Sequence, residues 1–314
     1  MRRFSAAVGL GLLAWVTGAA LGAAPPADPR AAAAPLLEVG RAHAAFTPSL
    51  EGEGPIFVLF IGSDARPGQA VEGERADSIH LVGINPAKGK ASILGFPRDS
   101  WVEIPGHGPD KINAAMVYGG PQTVVATVEA LTGIRVDYWA LTSFDGFQAM
   151  VNDVGGLVVD VPFPMQDPFS GSDFQPGRQR LDGRQALAFA RDRHSLLSGD
   201  FGRSENQGRL LLAALAQFRR EFGKDPSRLL TWVAAGMRHV HTDLGAGEIL
   251  DLAFTAAGIA PAGVRNMVVP GTTAMEGGQS VVLLSADASA IYRDMANDGL
   301  VRPRNAPPSP EEQV

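Results

Sequence analysis

From residue 56 to residue 298, short apolar runs of strand length alternate with stretches of helical period. That alternation is the pattern of an α/β domain, in which helices layer onto a sheet. Residues 56–61 (IFVLFI) form an unbroken apolar run ending in Gly62-Ser63-Asp64, which reads as a buried strand. Two more strands are predicted over 78–84 and 91–96, joined by the turn NPAKG at 85–89. Residues 122–131 have helical spacing and stop at Gly133, the place of a C-terminal cap. Strands are predicted over 138–141 and 157–161, with a helix over 144–154 between them, ended by Gly155-Gly156. A short helix over 185–190 starts from Asp182. Helices follow over 205–222, 226–237 and 247–257, then strands over 266–269 and 281–284, then a closing helix over 286–298. No internal repeat interrupts the series, so residues 55–301 read as one domain.

Open α/β sheets place their sites where strands run out into polar loops. Three consecutive strand ends here carry charge: Asp64 and Arg66 after the first, Arg75 and Asp77 before the second, and Arg98-Asp99 after the third. A second charged group lies downstream in Arg191-Asp192-Arg193-His194, Asp200, Arg203 and Gln207. Arg191 and Arg193 are two apart just after a helix, so in extended conformation both point to one side. Paired guanidinium forks are the usual answer to a phosphate or pyrophosphate. Asp64 and Asp77 are hard oxygen ligands suited to Mg²⁺ held jointly with substrate phosphates. For each of these residues taken singly, a solvated turn charge is the competing explanation.

Other chemistries are excluded. The 314 residues include no cysteine, which removes disulfides, thiolate catalysis, zinc fingers and iron–sulfur sites together. There is no Walker A sequence, no G-x-G-x-x-G and no G-x-S-x-G. A formal net charge of −6 gives no support to a nucleic-acid partner. His239 and His241, two apart, read as structural rather than as a metal site.

The N-terminus speaks to location. Arg2 and Arg3 precede an uncharged apolar stretch over 4–24, which reads as an export signal or, being about 20 residues long, as a membrane anchor. Residues 25–54 are Ala-, Pro- and Gly-rich and read as a flexible tether, and the Pro-rich tail from 302 to 314 reads as disordered.

Six stretches together resemble the LytR–CpsA–Psr family of bacterial cell-envelope enzymes: GSDAR (62–66), RADS (75–78), ILGFPRDSWVEIPGHGPDKINAAMVYGG (93–120), DYWALTSFDGFQAMVNDVGGLVVDV (137–161), LDGRQALAFARDRH (181–194) and DFGRSENQ (200–207). They occur in the family's order. The resemblance implies a single three-layer α/β domain with a central mixed β-sheet flanked by helices. It implies a phosphotransferase that moves a glycopolymer from a polyprenyl-pyrophosphate carrier onto peptidoglycan, forming a phosphodiester. The partners are then the lipid-linked glycan, the peptidoglycan acceptor and the membrane, with Mg²⁺ or Mn²⁺ as cofactor. The place is the extracytoplasmic face of the membrane or, after signal cleavage, the wall space.

Carried over by motif, Asp64 and Asp77 match the metal and pyrophosphate carboxylates, either of them being the candidate base. Arg98, Arg191 and Arg193 match arginines gripping the phosphates, while Arg75, Arg203 and Gln207 fall at further substrate-contacting positions. Two positions depart from the pattern: Asn206 stands where many members have Arg before the glutamine, and Val102 where some have an extra arginine. The apolar runs 141–147, 186–189 and 210–215 are either lining for a prenyl chain or plain core. A hydrolase acting on the same carrier and a non-catalytic lipid-glycan binding protein are the alternatives.

Overall fold

Strand β2 (Ile56–Ser63) is apolar on both faces because it is the middle strand of a seven-stranded sheet covered on both sides. Phe57, Leu59 and Ile61 pack with Val124 and Val128 of helix α1 (Ala114–Thr132) and with Ile291 and Met295 of helix α7 (Ala288–Asp298). Ile56, Val58 and Phe60 face the other way, toward Ile249 and Leu252 of helix α6 (Ala246–Gly258). The computed structural model describes residues 37–43, 54–66, 69–242 and 244–302, all within the unit Ala34–Val314. Leu59, Ile79, Leu81 and Leu94 have no exposed surface, and each such side chain contributes about 2 kcal/mol of burial.

The sheet is mixed. Strands β1 (Leu37–Arg41), β3 (Ala76–Asn85), β4 (Lys90–Gly95), β7 (Tyr138–Thr142), β12 (Val240–Thr242) and β13 (Val264–Val268) join β2 in the order β12–β1–β7–β2–β3–β4–β13. β2 runs parallel to β7 and antiparallel to β3, and β3 runs antiparallel to β4. Gly62 therefore pairs with both Thr142 and Ser78, and His80 pairs with Gly95. The C-terminal ends of β2, β4 and β7 meet the N-terminal end of β3 at one end of the sheet.

A second core lies beyond that end. It is built by α2 (Phe144–Asp153), the paired strands β8 (Leu157–Val161) and β11 (Gly177–Leu181), the hairpin β9 (Met165–Asp167) and β10 (Ser172–Phe174), and helices α3 (Gly183–Arg191) and α4 (Asp200–Lys224). Caps predicted from sequence are in place. Asp182 accepts from the backbone N–H of Gln185 at 2.8 Å while the Gln185 side chain takes the Asp182 N–H at 3.0 Å, a reciprocal capping box. Gly133 closes α1 at φ 70°, where its N–H reaches Glu129 O at 2.8 Å.

The structure corrects several expectations. Residues 37–41, placed in a tether, are β1, paired with β7 and β12. This strand is short and lies in an Ala- and Pro-rich context; at Gly40 a Cβ would come within 2.7 Å of the Trp139 ring, so glycine there marks close packing rather than flexibility. Arg302, placed in the tail, pairs with Asp294 and Asp298, and Val301 beside it is buried. α4 starts at Asp200, five residues before the predicted helix, because Gly202 reads as a breaker yet packs on Leu196 and Ser198. The pairs β5 (Trp101–Ile104) with β6 (Gly108–Lys111), and β14 (Gly271–Glu276) with β15 (Gln279–Leu284), include strands absent from the prediction. Helix α5 (Arg228–His239) matches its expected place. The stretch 4–24, the tail 303–314 and the side chains of His239 and His241 lie outside the described residues. Among the described residues, no helix is long and apolar enough to cross a membrane.

Candidate active site

Three of the predicted positions share the end of the sheet because their strands are neighbours. β2 shifts register between Gly62 and Ser63, and the Ser63 hydroxyl pins the following loop by donating to Val71 O at 2.7 Å. Asp64 N–H then donates to Arg75 O at 3.0 Å, which sets Asp64 beside the start of β3 and so beside Asp77. Beyond β4, Phe96 N–H donates to Ile79 O at 2.9 Å, and Ser100 closes the turn at Pro97. Arg98 then lies within reach of Asp77, and the two are ion-paired with only 26% and 14% of their side-chain surfaces exposed.

The electrostatics follow from that crowding. Burial raises the Asp64 carboxyl above the ordinary aspartate value, Asp77 and Glu74 raise it further, and Arg98 draws it part of the way back. Its Oδ1 is buried with no hydrogen-bond partner. Burial works against the Arg98 charge, yet Asp77, with Asp99 and Asp200 behind it, holds the guanidinium above its usual value. A buried carboxylate oxygen without a donor, next to a second carboxylate, fits a hard divalent cation such as Mg²⁺. Among the described residues no three His, Asp or Glu side chains form a metal cage, so oxygens from a ligand would have to complete the shell.

Helix α4 brings the second group. Glycines make the close approach: a Cβ at Gly95 would sit 2.4 Å from Ser204 Oγ, and one at Gly208 would sit 2.0 Å from Asn266 Oδ1. Arg203, 6% exposed, is ion-paired one turn back with Asp200, whose Oδ2 is buried and unpartnered. Burial pushes the Asp200 carboxyl up and the Arg203 guanidinium down. Gln207 Nε2 donates to Asp77 O at 3.3 Å and to Ala190 O at 3.2 Å, tying β3 to the last turn of α3. His80 is fully buried; one ring nitrogen lies 2.9 Å from Ser204 O and the other 3.1 Å from Ser78 Oγ. With so little water its value falls to about 4, so the ring is neutral, donates to the Ser204 carbonyl and accepts from Ser78.

Arg191 and Arg193 differ from the expected extended pair. Arg191 is the last helical residue of α3, and its guanidinium lies 4.9 Å from the centre of the Phe144 ring, just past the end of β7. The chain turns at Asp192, and Arg193 is exposed. Asp200 lies within electrostatic reach of both Arg98 and Arg193. Arg75 donates to Asn113 Oδ1 at 3.2 Å on the rim. The structure thus gathers Asp64, Asp77, Arg98, Arg203 and Gln207 closely, sets Arg191 and Arg193 along the helical side, and leaves Arg75 at the edge. Leu141, Ala186, Phe189 and Leu210, weighed as prenyl-chain lining, are buried in the two cores. His80 was missed as a site residue, and Asp200 was named in the charged group without a role. Asp200 stood three positions before Arg203, the spacing of a helical ion pair, but that signal needed the helix to start there.

Comparison with known proteins places this arrangement. A model of the LytR_cpsA_psr family matches residues 32–296. The "Probable cell wall biosynthesis protein LcpB" of Corynebacterium glutamicum is 38% identical over 170 residues, covering 50% of this chain and 41% of that protein. The polyisoprenyl-teichoic acid–peptidoglycan teichoic acid transferase TagV of Bacillus subtilis is 29% identical over 247 residues, covering 76% of this chain and 62% of TagV. The chain thus spans less than two thirds of the length of either relative. The crystal structure of TagV superposes with a TM-score of 0.68 and 28% identity, covering 78% of this chain and 97% of that one. The structure of TagT bound to LI-WTA gives 0.65 and 25%, covering 81% and 94%.

Proposed function

We propose that this chain, which belongs to the LytR–CpsA–Psr family, transfers a glycopolymer from a polyprenyl-pyrophosphate carrier to a hydroxyl of peptidoglycan outside the cytoplasm. One observation carries the reading: the unpartnered, buried oxygen of Asp64 lies beside the Asp77–Arg98 ion pair, at the point where α3 and α4 deliver further arginines. The name of TagV as a teichoic acid transferase and the bound state of TagT support it. Residues 1–24 serve in this reading as export signal or anchor.

The chemistry is displacement at phosphorus, where positioning and charge neutralisation dominate. The acceptor hydroxyl forms a new P–O bond to the glycan-bearing phosphate, and the pyrophosphate P–O–P bridge breaks to release polyprenyl phosphate. Arg98, fixed by Asp77, binds a phosphate oxygen in a set direction, while Arg191 and Arg193 answer the charge that grows on the leaving phosphate. Gln207 keeps the two halves of the site in register. The acceptor proton goes to a carboxylate; Asp64, with no arginine paired to it among the described residues, suits that task better than Asp77. Asp64 and Asp77 would hold Mg²⁺ or Mn²⁺, which would supply Lewis-acid stabilisation of the phosphate charge.

The test is product identity. Purified protein, given a polyprenyl-pyrophosphate-linked glycan and a peptidoglycan oligosaccharide, should yield a phosphodiester-linked conjugate and polyprenyl phosphate by mass spectrometry. Release of glycan phosphate to water, unchanged by acceptor, would make it a hydrolase; binding with no turnover would make it a carrier protein.

A further inference from the structure

Beside the arginine loop, two tight turns each hold one large apolar side chain out in solvent. Phe169 is 79% exposed and Leu197 is 86% exposed, the most exposed large hydrophobics among the described residues. The turns are not loose. Asp167, 1% exposed, accepts from Phe169 N–H at 2.9 Å and contacts His194 Nδ1 at 3.0 Å. Asp192, with no exposed surface, takes the Ser172 hydroxyl and the Ser195 N–H at 3.1 Å. Ser195 Oγ in turn accepts from Gln166 N–H at 2.8 Å, and the Phe169 ring lies 4.9 Å from the His194 ring.

Two buried carboxylates thus brace the β9–β10 turn against the loop 192–199. Buried carboxylates are costly unless fully hydrogen-bonded, and here that bonding fixes the backbone under two side chains that gain nothing from water. Arg193, exposed in the same loop as Leu197, has a guanidinium that makes no ion pair among the described residues, with Asp200 within its electrostatic reach, although the chain as a whole carries −6. Rigid apolar tips beside an exposed cation match an anionic lipid surface: the tips enter the acyl boundary and the guanidinium meets lipid phosphates.

We propose that Phe169 and Leu197 form a foot that inserts into an anionic bilayer, setting the Arg191–Arg193 loop at headgroup level. This rests on the carrier lipid being the substrate, since the foot would bring the phosphate-binding loop to the depth where a polyprenyl pyrophosphate presents its charge.

The absence of cysteine makes the test clean. Full-length Leu197→Cys and Met275→Cys, each labelled with an environment-sensitive fluorophore, are mixed with phosphatidylglycerol vesicles carrying acyl-chain nitroxide. Met275 is also exposed, at 65%, but lies on β14, and both chains keep the same N-terminal residues. The Leu197 label should be quenched at least twofold more than the Met275 label. Equal quenching, or a Leu197 label that changes only on self-association without vesicles, overturns the foot. As a second measurement, the double variant Phe169→Ser/Leu197→Ser should lower turnover of vesicle-borne carrier at least fivefold and leave turnover of a short-chain soluble analogue unchanged; equal loss on both overturns the foot. Quenching is read without turnover, so an inactive wild-type protein would sink the transferase reading and leave the foot to be decided separately.

Discussion

Arg98 and Arg191 belong to the same candidate site but are held in opposite ways. Arg98 sits at the end of β4, is mostly buried and is locked to Asp77. Arg191 ends α3 with only the face of Phe144 against it and no carboxylate partner among the described residues. The difference follows from solvent. A guanidinium taken into the sheet's end must be paired, because an uncompensated buried charge costs several kcal/mol. One at a helix end keeps enough water to stand alone, and an aromatic face adds about 0.5–1 kcal/mol. The sheet half therefore has fixed geometry, and the helical half holds a cation outside any ion pair among the described residues.

The comparison predicts graded effects. The largest falls on the carboxylates: excess chelator should abolish turnover of a polyprenyl-pyrophosphate substrate, since Asp64 and Asp77 would then face each other and the phosphates with nothing between. Full activity in chelator would remove the metal from the account and leave the sheet half to arginine alone. Arg98→Lys comes next. It keeps the charge but loses the planar fork that joins Asp77 to a phosphate, and should lower kcat by about 10²–10³-fold. Arg191→Lys, which loses a fork but breaks no ion pair, should cost roughly tenfold, while Arg304→Lys in the tail costs nothing. Equal losses at 98 and 191 would erase the distinction between the halves.

A separate effect is on stability rather than turnover. His80 joins β3 to α4 in its neutral form, with a value near 4 against an ordinary 6.5. As pH falls below about 6.5 the unfolded chain takes up that proton first, so stability drops until about pH 4 and then levels. The whole drop amounts to roughly 3 kcal/mol. Denaturant unfolding of His80→Gln should show a total loss of stability over this range smaller by that amount; an identical loss would mean that His80 titrates normally and does not couple the two halves.

The sheet half was legible in the sequence and the helical half only partly so. Apolar runs ending in Asp64 and Arg98, with Asp77 at the mouth of β3, are local patterns that determine both strand and loop. Arg191 and Arg193 were found as residues but misplaced as a fork, because the continuation of α3 through Arg191 depends on its packing over Phe144, 47 positions away. β1 escaped because five residues in an Ala- and Pro-rich context carry no period of their own; the edge of β7 and the Trp139 ring select them. The Asp200–Arg203 ion pair was hidden by a glycine whose role is close packing, and His80 looked like any strand residue until α4 covered it.

The central claim is that the two halves grip one ligand. A double-mutant cycle of Arg98→Lys and Arg191→Lys, read on binding of Mg-pyrophosphate by calorimetry, tests it most directly. Two arginines on one pyrophosphate should be coupled, the double variant departing from the sum of the singles by more than about 0.5 kcal/mol. Strict additivity, or binding that ignores Arg191 altogether, would contradict a shared site.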